Sequence, residues 1–147
     1  MHRWSGLTIA AGIVVLTLGA VPATRAQSTM QSTESLQSAL GVLSQVVTDS
    51  GKLIADHRYD QLPRESNEFE AALTTLEQRL GNHPSTLRTE LEPLVGKARI
   101  ASSAMREAVE AHRDSMLPLA HRQLADAVNE IIASFPPAMR PGNGPAG

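Results

Sequence analysis

Cysteine is absent from the chain. That excludes disulfide staples, a lipidated cysteine anchor, a thiolate nucleophile, a Cys-x-x-Cys-His haem attachment and any thiolate metal site. Stability must then come from an apolar core and helix packing. Aromatic residues are nearly as scarce, with one Trp, one Tyr and two Phe. The Trp is Trp4, so Tyr59, Phe69 and Phe135 are all that the body of the chain keeps, too few for base stacking or sugar platforms. Neither sign of charge dominates: 13 basic and 15 acidic residues leave a net charge of −2. Their interspersed arrangement gives no reason to seek nucleic acid or anionic lipid. The chain carries no Gly-rich phosphate loop, nucleophile elbow, His-Glu-x-x-His motif or Glu-x-x-His pair, so no enzyme is expected.

The chain opens with His2 and Arg3, continues with an apolar run from Leu7 to Ala20, and reaches Val21-Pro22-Ala23-Thr24-Arg25-Ala26. A basic start, a short apolar stretch and small residues at minus three and minus one describe a secretory signal peptide, with cleavage expected after Ala26, or after Ala23 as second choice. The run is short of the about 20 apolar residues of a membrane-spanning helix. Losing Arg3 and Arg25 takes the net charge from −2 to −4. The expected product is exported, periplasmic or secreted, with no membrane association after cleavage.

A seven-residue phrase occurs twice. His57-Arg58-Tyr59-Asp60-Gln61-Leu62-Pro63 returns as His112-Arg113-Asp114-Ser115-Met116-Leu117-Pro118, an offset of 55 residues. At that offset Leu62, Phe69, Ala72, Leu73, Leu76 and Leu80 fall on Leu117, Leu124, Ala127, Val128, Ile131 and Phe135. Upstream, Leu36, Ala39, Leu40, Leu43 and Ile54 fall on Leu91, Leu94, Val95, Ala98 and Val109. Apolar residues step by four and three within each stretch, the spacing of one helix face, and no strand pattern occurs. The spacing predicts an all-α, up-down-up-down four-helix bundle built from two similar hairpins.

The expected boundaries follow from local signals. Residues 1–26 are the signal peptide, 27–34 a flexible leader, 35–135 the bundle, and 136–147 a disordered Pro/Gly tail. Helix 1 runs from a cap at Ser32 or Thr33 to His57 or Arg58. Asp60 caps helix 2, which stops at a left-handed Gly81. Helix 3 begins near Ser85, with a kink or restart at Pro93, and Ser115 caps helix 4. Gly41 and Gly51 weaken helix 1 unless a neighbouring helix needs the close approach.

In that topology the two copies of the phrase lie at one end of the bundle. His57 and His112 fall in phase with the apolar stripes, so His57, Asp60, His112, Asp114 and Met116 form a candidate metal set for zinc or copper. Beside it stands a plainer reading: His and Arg suit the negative end of a helix, Asp60 and Ser115 are ordinary caps, and a duplicated hairpin keeps its turns without any ligand. His83 is isolated at the other end. His121 lies one turn into helix 4 as a boundary residue. The glutamates at 65, 68, 70 and 77 read as solvated charge on helix 2.

The stretch Leu53 to Leu80, and Ala108 to Pro136 with His112 and its closing Ile131-Ile132-Ala133-Ser134-Phe135-Pro136, together with the signal peptide, resemble a group of small exported helical proteins found with bacterial envelope heavy-metal efflux systems. That resemblance implies a periplasmic accessory role in metal homeostasis. In plan the chain is also similar to the cytochrome c-prime and soluble b-type cytochrome bundles. Covalent haem is excluded by the missing cysteines, and Met30 and His121 are poorly placed for non-covalent ligation. Two functions stand as expectations: an exported accessory of envelope metal homeostasis or stress, or an envelope protein-protein interaction module with no metal role. Val42 and Val46 are the apolar residues expected on an outer face, and the protein is expected to be a monomer or a weak dimer.

Overall fold

The structure, a computed structural model, describes residues 22–81, 83 and 85–142. Residues 1–21, with the apolar run expected to belong to a signal peptide, lie outside the described residues, as do Asn82, Pro84 and the last five residues. Four helices follow one another: α1 (Pro22–Ala55), α2 (Leu62–Leu80), α3 (Ser85–Glu110) and α4 (Leu117–Ser134). No strand occurs among the described residues. Each helix packs against two neighbours, α1 with α2 and α4, and α3 with α2 and α4, the arrangement of an up-down-up-down bundle.

The duplication predicted from the 55-residue offset governs the core. All six pairs from Leu62/Leu117 to Leu80/Phe135 are buried at both positions. Leu36/Leu91, Leu40/Val95 and Leu43/Ala98 are buried likewise, Ala39 is buried but its counterpart Leu94 only half so, and Ile54 and Val109 pack half-buried against the cluster. Burying each large aliphatic or Phe side chain contributes about 1.5–3 kcal/mol against the entropy of ordering the chain. Three buried hydroxyls, Ser50, Ser66 and Ser102, have no hydrogen-bond partner.

Charged residues seal the outside. The Arg99 guanidinium of α3 donates to both carboxylate oxygens of Glu77 on α2, at 3.0 and 2.7 Å, and to Glu70 at 3.3 Å. Glu70 and Glu77 therefore clamp two helices and are not merely solvated charge. The Glu77 hydrogen bond raises the Arg99 pKa further, against partial desolvation. A half-exposed network of this kind contributes about 1 kcal/mol or less per pair.

Several boundaries differ from the local signals. Helix α1 is already running at Pro22, through the stretch expected to be a leader. Proline suits a first helical turn, and no breaker follows it. At its other end α1 stops at Ala55. Asp60 and Ser115 are not caps: they lie in 3-10 turns, Tyr59–Gln61 and Asp114–Met116, that lead straight into α2 and α4. The residues preceding α2 and α4 are Gln61 and Met116, neither making a side-chain cap. The turns satisfy the first donors instead, Leu62 N–H bonding the Tyr59 carbonyl and Leu117 N–H the Asp114 carbonyl.

Gly81 is right-handed, at φ −55°, with its N–H on the carbonyls of Glu77 and Arg79, so no left-handed stop forms there. Helix α3 passes through Pro93 without a break. A proline removes one donor, and the flanking turns hold the helix together across that gap. Part of the expected tail is ordered as well. Pro137–Met139 makes a 3-10 turn, Met139 packs on the core, and Arg140 donates to the Phe135 and Ala133 carbonyls at 2.9 Å each. That arginine caps the end of α4, whose last carbonyls lack intrahelical partners.

Candidate functional site

The repeated phrase is a helix-ending device, reproduced in both copies down to its backbone. After α1, Arg58 N–H bonds the Leu53 carbonyl at 2.8 Å and His57 N–H the Ile54 carbonyl at 3.2 Å. After α3, Arg113 N–H bonds the Ala108 carbonyl at 2.8 Å and His112 N–H the Val109 carbonyl at 3.1 Å. This is the Schellman pattern, and it requires a left-handed residue at the position that glycine normally fills. Here histidine fills it twice, at φ 57° for His57 and 51° for His112.

The left-handed turn corrects the expectation that both histidines extend the apolar stripes. Once the chain leaves the helix its 3.6-residue phase is lost, and both side chains are exposed. His57 Nδ1 and the Tyr59 hydroxyl are hydrogen-bonded at 2.6 Å, with the rings edge to face. The second copy has Asp114 in place of Tyr59.

Asp60, Asp114 and Met116 are exposed too, Met116 at 50%. Among the described residues no three His, Asp or Glu side chains gather as a metal ion would require. His57, Asp60, His112, Asp114 and Met116 are thus placed at one end of the bundle, with no three of the His and Asp side chains brought together. What their arrangement does chemically is terminate two helices and present two imidazoles to solvent.

His121 has a defined role that periodicity alone did not show. It is half-buried, and its Nε2 lies 2.8 Å from the Val47 carbonyl across the α1/α4 interface. A carbonyl only accepts, so Nε2 carries the proton.

A second candidate site emerges from comparing the two hairpins position by position. On the outer face of the first hairpin stand Gln45, Gln61 and Arg64. The equivalent residues of the second are Ile100, Met116 and Leu119, exposed at 72%, 50% and 53%. Core packing does not demand this change, because Gln45 and Arg64 show that the fold accepts polar side chains there. Between α3 and α4 runs a groove of about 310 Å³ lined by Lys97, Ile100, Gln123, Asp126 and Glu130. The corresponding groove of the first hairpin, about 400 Å³, is lined by Val42, Glu68, Ala71, Ala72 and Thr75. Of the two valines expected on an outer face, Val42 is exposed and Val46 is buried. Sequence reasoning missed Ile100 and Leu119, although the 55-residue alignment would have shown both as apolar residues opposite polar ones.

The chain matches no protein-family profile, no curated protein and no solved structure.

Proposed function

We propose that the chain is an exported, non-enzymatic helical bundle that works by docking another protein of the cell envelope through the outer face of α3 and α4. The observation that carries this is the exchange of Gln45, Gln61 and Arg64 for Ile100, Met116 and Leu119 at equivalent outward positions. Exposed apolar residues gathered on one face mark interaction surfaces. Export is proposed from the basic start, the apolar run and the small residues before Gln27. Among the described residues no helix is long and apolar enough to cross a membrane. The accessory role in metal homeostasis implied by the resemblance would, on this reading, be exercised through the docked partner and not through a resident zinc or copper ion.

The test is site-specific photo-crosslinking in cells. A photoreactive residue replacing Ile100 or Leu119 is expected to give a discrete protein adduct, whereas one replacing Gln45 or Arg64 gives none. Equal labelling from both hairpins, or none from either, would remove the reading.

A further inference from the structure

We infer that Met116 is a site of sulfur oxidation, and that its sulfoxide, held by Arg113, turns the face at the start of α4 polar and releases the docked protein. The inference rests on the docking reading above and adds the regulation of that face. Its basis is a hydrogen bond present in one hairpin and missing from the other. In the first, Arg58 Nη2 donates to Gln61 Oε1 at 2.9 Å. The equivalent residues of the second are Arg113 and Met116. Their backbones match, with φ and ψ of −96° and 57° at Arg58 against −99° and 60° at Arg113. At Gln61 the angles are −93° and −15°, and at Met116 −86° and −19°. Yet Arg113 makes no side-chain hydrogen bond or ion pair among the described residues, because the thioether opposite it is only a weak acceptor.

Oxidation supplies the acceptor. Methionine and glutamine share two methylenes, and the methionine sulfur stands where glutamine has its amide carbon. The sulfur lone pair attacks hydrogen peroxide, the O–O bond breaks, an S–O bond forms, and proton transfer lets water leave. The sulfur loses two electrons and the peroxide gains them. The sulfoxide oxygen then takes the place of the glutamine Oε1, and Arg113 donates to it as Arg58 donates to Gln61. Gln61 shows that the fold accepts a polar residue at this position.

Exposure selects the site. Met116 is 50% exposed, whereas Met105 is buried at 1% and Met139 is half-buried against the core. The chain has no cysteine, so no thiol of its own consumes the oxidant first. Leu119 follows one turn later on the same side of α4, and the new polar group therefore falls beside an exposed apolar residue. Conversion of methionine to its sulfoxide disrupts apolar interfaces of this kind.

The first experiment is limited treatment of the purified protein with hydrogen peroxide, followed by peptide mass mapping. Met116 is expected to oxidise at least about tenfold faster than Met105, since burial protects a thioether. Guanidinium resonances that are absent from Arg113→Ala should shift as oxidation proceeds, with helicity unchanged by circular dichroism. The second experiment is photo-crosslinking in cells from a photoreactive residue at position 119. Peroxide should abolish the adduct of the wild-type chain, Met116→Gln should lack it without peroxide, and Met116→Leu should keep it in peroxide.

Oxidation of Met116 no faster than that of Met105, or an Arg113 signal indifferent to it, would overturn the inference. So would an adduct that survives both peroxide and Met116→Gln, or one that peroxide removes equally from Met116→Leu; the docking reading would stand in either case. A wild-type chain that gives no adduct before oxidation would overturn the docking reading, and the switch with it.

Discussion

His121 rests on Gly51. A Cβ at Gly51 would stand 3.0 Å from His121 Cε1 and 3.1 Å from Nε2, and the same ring donates its Nε2 proton to the Val47 carbonyl one turn earlier on α1. The missing side chain lets α4 approach α1 closely enough for that hydrogen bond. Gly41, on the same helix, has nothing within 4 Å of its Cβ direction. Gly41→Ala is thus expected to stabilise by up to about 1 kcal/mol, the ordinary helix preference for Ala. Gly51→Ala is expected to destabilise by about 1 kcal/mol, because the displaced imidazole loses its bond. Combining it with His121→Ala should turn the Gly51→Ala effect favourable, since the clash is then gone. Urea denaturation of the four variants checks this, and additive effects would contradict the coupling.

The two left-handed histidines carry a backbone cost that glycine would avoid, about 1–2 kcal/mol for an ordinary L-residue. His112→Gly is expected to raise stability by about 0.5–1 kcal/mol, part of the gain being offset by the greater freedom of glycine in the unfolded chain. His57→Gly should gain less, because it also loses the bond to Tyr59. The same preparations test the metal reading. Zinc or copper at about 100 micromolar is expected to leave the melting temperature unchanged, whereas a micromolar site would add about 2.7 kcal/mol. A rise abolished by His57→Ala with His112→Ala would establish a site there.

Glu65, in the first turn of α2, has its carboxyl pKa raised, chiefly by desolvation, then by Glu68 and Asp49, with Arg64 opposing. A raised folded-state value means that the folded chain holds this proton more tightly than the unfolded chain. Glu65 therefore favours folding least once pH has risen above both values, and its penalty disappears as pH falls below about 4, the ordinary carboxyl range. Glu65→Gln is expected to stabilise at pH 7 and to be neutral near pH 3. Paired thermal melts at the two pH values check the sign, and an equal effect at both would refute it.

Ser66 and Ser102 are fully enclosed, with hydroxyls that have no hydrogen-bond partner. An unsatisfied buried polar group costs about 1–3 kcal/mol, and Ala is the better helix former. Ser66→Ala and Ser102→Ala are each expected to stabilise by about 1 kcal/mol, measured by chemical denaturation. Destabilisation at both would show that the hydroxyls are satisfied in solution.

Much of this architecture was already written in local order. Four-three spacing sets which faces of α2 and α4 turn inward, and the 55-residue offset pairs Leu73 with Val128 and Leu76 with Ile131, all buried. Such features are legible because a helix converts sequence spacing directly into direction. The phrase around His57 and His112 was legible as a repeated helix-ending turn, whereas the placing of both histidines on the apolar stripes was wrong. Both are left-handed residues, where helical phase no longer applies. Tertiary structure alone decided the rest. His121 meets Val47 from 74 positions away along the chain, and that encounter depends on how deeply α4 settles against α1. The 55-residue alignment sets Ile100 and Leu119 opposite polar residues, but how far each stands in water, 72% and 53%, came only from the packed helices. Helical periodicity gives each helix an inside and an outside, while the depth and level at which two helices meet come only from the fit of side chains across the interface.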